Sequence, residues 1–223
     1  MTSGFVCPNT RTTGLNGRLA RMAFPLLATV QVTLIATITA ITVALPAIER
    51  DLHVDDAEMV LVSSAYGLAF GGLLLLGGRL ADAWGRRRVF ITGVVIFGLA
   101  SVAAGLAPLV GILLIARFAQ GIGAALAAPA AMALVGVVFP DPRRRGRAMA
   151  VWGVLSTARA TAGTVLSGVV TAWMSWRWVF LAPVVMSTVA VPAAAGLFPA
   201  DHRRAGGGST GSVRCWRPLV WPC

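Results

Sequence analysis

Arg117 and Gln120 stand three residues apart in an apolar stretch, a spacing that brings both onto one face of a helix. An arginine inside a membrane-length run costs about 2.5–3.5 kcal/mol at mid-bilayer, so it is expected to face protein or a water-filled cavity. The alternative places Arg117 near the membrane surface, where its head snorkels to water. Tyr66, the only tyrosine, either lines a substrate cavity or satisfies its hydroxyl between helices. A second cluster reads Gly78-x-Leu80-Ala81-Asp82-x-x-Gly85-Arg86-Arg87. Gly78 lets the chain approach a neighbour, and Gly85 permits a tight turn. Asp82 can pair with an arginine or sit at a helix N-terminus, where the dipole favours an anion. Such a cluster can act as a latch, closed in one conformation and broken in another. A plain basic loop would explain the arginines but neither Asp82 nor the two glycines.

No catalytic or metal-binding constellation emerges. His53 and His202 fall in expected loops, and no cysteine or second histidine lies at metal spacing. Cys7, Cys215 and Cys223 lie in the terminal segments, an odd number that argues against a disulfide framework. Gly121-x-Gly123 lacks the preceding strand and third glycine of a dinucleotide loop, so Gly121 is assigned to helix packing. The chain is therefore not expected to be an enzyme, and no cofactor or metal is expected. The net charge of +11 raises nucleic-acid binding, but the arginines come in short clusters between apolar runs, not on an amphipathic face. No nucleic-acid partner is expected.

The elements that must carry these residues are membrane helices. Of the 223 residues, 57% are apolar and only 12% charged, about half the charge of a soluble domain, so lipid must be the solvent for much of the surface. Six stretches reach the roughly 20 residues needed to cross the hydrocarbon: about 24–46, 59–78, 89–107, 110–138, 148–172 and 178–199. The first is too long for a signal-peptide core. Pro129 predicts a tilt or kink in the fourth. Gly67 and Gly71, four residues apart, predict close helix contact. Arg11, Arg18 and Arg21 precede the first span. Arg79 and Arg86–Arg88 separate spans two and three, Arg143–Arg145 and Arg147 separate four and five, and Arg203 and Arg204 follow the sixth. The alternate connections hold only Arg50 and Arg177, and the first of them is acidic. Positive charge stays inside, so both termini are expected in the cytoplasm. No acidic residue is expected within a span.

The cluster from Gly78 to Arg87 resembles the signature of the major facilitator superfamily of transporters. The stretch from Leu113 through Arg117, Gln120, Gly121 and Gly123 to Ala125 is similar to that superfamily's second signature. Val43-Ala44-Leu45-Pro46, Ser64-Ala65-Tyr66 and Ser175-Trp176-Arg177-Trp178-Val179-Phe180 resemble its fourteen-helix branch of drug:proton antiporters. Trp176 and Trp178 also suit anchors at the outer membrane surface. The resemblance implies an all-α membrane protein of six transmembrane helices, the N-terminal half of a fold built from two inverted three-helix repeats. It implies a proton-coupling role for Arg117, with Gln120, Tyr66 and Arg159 as further coupling or cavity candidates. It also implies a plasma-membrane location, a small-molecule substrate moved by proton-coupled efflux, and a second transporter half as partner.

The chain departs from the branch at several positions. Thr37 and Thr42 replace an Asp and an Asn, and Leu61 replaces a Trp. In span five a Gly-Pro pair reads Gly163-Thr164, a Gly-Gly pair reads Ser167-Gly168, and Arg159 replaces a glycine. Three segments follow: a cytoplasmic tail 1–23, the bundle 24–199, and a second tail 200–223. The Gly/Ser-rich residues after Arg204 read either as the product of a shifted frame or as a flexible linker. Alternative functions are a six-helix remnant or interaction partner without transport, and metabolite uptake by the same fold.

Overall fold

The computed structural model describes residues 13–52, 54–139, 141–154, 168, 173 and 175–198, and all regular structure among them is helical. Helix α1 runs Thr13–Leu52, α2 Asp56–Trp84, α3 Arg86–Gly105 and α4 Val110–Val138. Residues 142–154 form α5 as far as it is described. A 3₁₀ turn, Trp176–Phe180, leads into α6, Leu181–Leu197. Among the described residues, five segments are long and apolar enough to cross a membrane: Met22–Leu52, Asp56–Trp84, Arg86–Gly105, Val110–Val138 and Trp176–Leu197. Most of the expected fifth span lies outside the described residues, as do both expected terminal tails except their inner edges.

Two helix starts carry a capping aspartate. The Asp55 carboxylate accepts the Asp56 N–H (2.8 Å) while Glu58 accepts the Asp55 N–H (3.3 Å), a capping box that satisfies otherwise orphaned donors. Asp141 does the same for α5, accepting from the Arg143 N–H at 3.1 Å, with Pro142 in the position a helix tolerates best. The expected loop of Gly78–Arg88 shrinks to one non-helical residue. Gly85 has φ 100° and ψ 136°, a conformation open to glycine and strained for other residues. Asp82 lies in the last turn of α2, not in a loop, and Arg86–Arg88 form the first turn of α3. Glu49 and Asp51 likewise end α1, and Asp56 and Glu58 open α2. The expectation that acids lie outside the helices is corrected: these helices overrun the apolar core, and the acids occupy their ends. Helix α4 continues through Pro129, α1 through Pro25 and Pro46, and α6 through Pro192.

Helix α4 is the axle of the bundle. Its alanines and glycines let α2 and α3 come close on two sides, since lipid tails leave van der Waals fit as the main attraction between helices. A Cβ at Gly77 would overlap the Ala125 carbonyl, and one at Gly93 would stand 2.7 Å from the Ala127 nitrogen. A Cβ at Gly123 would stand 2.6 Å from the Phe97 nitrogen. Gly67 and Gly71 make no close helix contact among the described residues: both are exposed there, with no described atom within 4 Å of where a Cβ would be. At Gly78 a Cβ would meet, among the described residues, only Pro129 at 4.0 Å, so the close approach seen there belongs to its neighbour Gly77. Two apolar clusters result. One centres on Leu34, Phe90, Phe97 and Leu134, the other on Ile48, Val62, Leu113 and Phe180.

Candidate functional site

A polar layer separates those two clusters. Arg117 is completely buried (0% exposed). Its Nη1 donates to Gln120 Oε1 at 3.0 Å, and Gln120 Nε2 donates to Ser101 Oγ at 2.7 Å. The Ser101 hydroxyl donates to the Phe97 carbonyl at 2.7 Å. On its other side, the Arg117 guanidinium carbon lies 5.0 Å from the centroid of the Tyr66 ring, within cation–π range. The Tyr66 hydroxyl donates to the Leu34 carbonyl at 2.9 Å. One chain of contacts therefore joins α1, α2, α3 and α4. The snorkelling alternative for Arg117 is overturned, because no part of the side chain reaches the surface. Of the two readings for Tyr66, the structure shows a hydroxyl satisfied between helices.

The layer is not saturated. Arg117 Nε and Nη2 find no acceptor among the described residues, and buried Gln31 Oε1 in α1 finds no donor there. Thr37, where the resemblance puts an Asp, is buried, and its hydroxyl bonds back to Thr33 of its own helix at 2.7 Å. Ser101 and Gln31 are the residues that sequence reasoning missed. The signal for Gln31 was available: an amide in mid-span is as costly to leave unpaired as any other polar group in lipid. A Cβ at Gly121 would stand 2.5 Å from the Tyr66 carbonyl oxygen, so a small residue there lets Arg117 reach the ring one helix away. Arg159 and Gly163 lie outside the described residues. Gly168 is described, and a Cβ there would make an ordinary 3.7 Å contact with Val43.

The basic end is arranged around helix termini. Asp82 faces Arg86 at 4.0 Å, with both side chains substantially exposed, and α3 begins without a side-chain cap. Arg86 Nη1 donates to the Ala133 carbonyl at 3.5 Å, and Arg87 Nη2 donates to the Ala195 carbonyl at 2.6 Å. The Ala195 carbonyl belongs to the closing turn of α6, where cations are favoured by the dipole and by free acceptors, and Ala133 lies one turn before the end of α4. Gly78, Asp82, Gly85, Arg86 and Arg87 thus sit together where α2, α3, α4 and α6 converge.

At the opposite end, Trp176 Nε1 donates to Asp51 Oδ2 at 3.0 Å. Arg177 pairs with the same oxygen at 3.5 Å and lies over the Trp176 ring at 5.2 Å. Trp176 is therefore buried and clasps α1 to the start of α6. Its reading as a surface anchor is corrected, while Trp178 remains half-exposed.

The model of the Major Facilitator Superfamily matches residues 27–217. The chain belongs to that superfamily. It is 47% identical over 167 residues to the puromycin resistance protein pur8 of Streptomyces alboniger, covering 74% of this chain and 33% of that protein. It is 39% identical over 184 residues to the lincomycin resistance protein of Streptomyces lincolnensis, covering 80% and 37%. It is 44% identical over 144 residues to the cephamycin export protein CmcT of Amycolatopsis lactamdurans, covering 65% and 30%. The chain thus spans about a third of the length of these relatives. Among solved structures it resembles a peptide transporter POT, with a TM-score of 0.69 and 17% identity, over 79% of this chain and 37% of that one. At that identity the likeness concerns fold alone. Family and fold together make this an integral membrane protein whose helices form the N-terminal half of a major facilitator fold.

Proposed function

We propose that this chain is the N-terminal half of a proton-coupled exporter of drug-like or hydrophobic small molecules in the plasma membrane. The observation that carries the reading is its 39–47% identity to proteins named for antibiotic resistance or export, over the same helices that hold Arg117 and the Gly78–Arg87 cluster. The Arg117–Gln120–Ser101 chain supports a role at the bundle's centre, because a charge held in mid-span marks an ion or substrate path. Asp82, Arg86 and Arg87, with the turn at Gly85, serve as the latch: their contacts to the ends of α4 and α6 would break when those ends separate. Both termini lie in the cytoplasm, because that places the basic end inside.

Alternating access takes two bundles rocking about a shared midplane site, so the second bundle must come from further polypeptide or a separate chain. The test is efflux of a fluorescent lipophilic cation from cells expressing the 223 residues, alone and together with the C-terminal half of a relative. Extrusion that stops when an uncoupler collapses the proton gradient, and that is lost in Arg117→Lys, supports this reading. A chain that inserts yet exports nothing in either setting favours the non-transporting alternative, and net uptake favours the metabolite importer.

A further inference from the structure

A cleft of about 560 Å³ opens at the basic end between the last turn of α2 and the first turns of α3, apart from the Arg117 layer. Leu80, Val89 and Leu126 make its apolar floor, with Ala83 beside them, while Trp84 and Arg88 form its rim. Trp84 is 68% exposed. A large indole left open at the end of a membrane helix suits the headgroup level, where its apolar body and its N–H are both served. Arg88 is exposed on the same rim. Between residues 79 and 88 there are four arginines and one acid, Asp82, whose pairing is a 4.0 Å contact to Arg86. The rim is therefore positive and the floor greasy. A soluble anion would use only the first property, and an uncharged lipid only the second.

We propose that this cleft binds one anionic phospholipid. Its phosphate lies against Arg88, its glycerol region beside Trp84 and the Thr92 hydroxyl, and the upper methylenes of an acyl chain over Leu80, Val89 and Leu126. Basic pockets between helices at a membrane surface recognise lipid headgroups on this principle. The inference rests on the chain's placement in a bilayer and not on the transport reading, so either can fail without the other.

The test is native mass spectrometry of the intact 223-residue chain, released from detergent with equal amounts of phosphatidylglycerol and phosphatidylcholine. One arginine near an anionic headgroup corresponds to about a fivefold preference for phosphatidylglycerol. Arg88→Gln should bring that preference close to unity, while Arg147→Gln, an arginine of α5 away from the cleft, should leave it unchanged. Ala83→Trp fills the cleft with every arginine in place and should displace the bound lipid, which decides the matter if Arg88→Gln fails to insert. Equal retention of the two lipids would overturn the proposal. So would an equal loss of preference in both arginine variants, which would mark a diffuse surface charge. Full displacement by glycerol phosphate would overturn it too, by showing a site for soluble anions.

Discussion

Tyr66, Ser101 and Gln120 in the centre of this bundle are tied to a helix other than their own, and the Thr37 hydroxyl bonds back to its own helix backbone. Ser101→Ala removes the acceptor of Gln120 Nε2 and leaves that donor buried. Interhelical hydrogen bonds in membrane bundles are worth about 0.6–2 kcal/mol, so SDS-titration unfolding should show a loss in that range. Gly85→Ala places a Cβ at φ 100° and should cost about 1–3 kcal/mol by the same measurement, without altering the Arg117 layer. A loss under a few tenths would show that the turn relaxes to another conformation. Arg117 and Gln120 were legible in the sequence because a charge amid apolar residues is conspicuous. Ser101 was not, because a lone serine in a span is compatible with many local bonds to its own helix.

Between elements, two glycine pairs behave oppositely although their sequence signals look alike. Gly123→Val would drive side-chain atoms into α3, where a Cβ alone already falls 2.6 Å from the Phe97 nitrogen. Overpacking of this kind costs about 1–3 kcal/mol, and the unfolding midpoint should fall accordingly. Gly71→Ala meets nothing within 4 Å among the described residues and should stay within about 0.5 kcal/mol. The i,i+4 spacing of Gly67 and Gly71 predicted contact because periodicity tells which residues share a face and not what lies opposite. The clasp between α1 and α6 was equally hidden, since Asp51 and Trp176 are 125 residues apart. Asp51→Asn keeps an oxygen for the indole but loses the half-exposed pair with Arg177. The expected cost is under about 1 kcal/mol and should vanish at high salt. Asp51→Ala, which also strands the Trp176 N–H, should cost more.

For the molecule as a whole, helix number and fold were readable because lipid demands long apolar segments with every backbone group bonded internally. Boundaries were less readable. Helices α1 and α2 run past the hydrocarbon into polar ends, so apolar length understates helix length, and the acids expected in loops lie on those ends. Orientation is open to a direct test. With Cys7, Cys215 and Cys223 replaced by serine, a cysteine at Arg86 should resist an impermeant maleimide in intact cells and react once the membrane is permeabilised. A cysteine at Glu49, at the opposite end, should react at once. The reverse pattern would invert the topology and, with it, the side on which the proposed latch works.

The burial of Arg117 has an electrostatic consequence for anything that crosses beside it. All eight acids of the chain lie at positions 49–58, 82, 141 and 201, so the middle depth of these helices holds a fixed cation and no anion. A monovalent cation passing 10 Å away at an effective dielectric of 20 would be repelled by about 1.7 kcal/mol. Under the proposed function, a positively charged passenger, or a proton, would have to find its negative counterpart outside the mid-depth layer of these 223 residues.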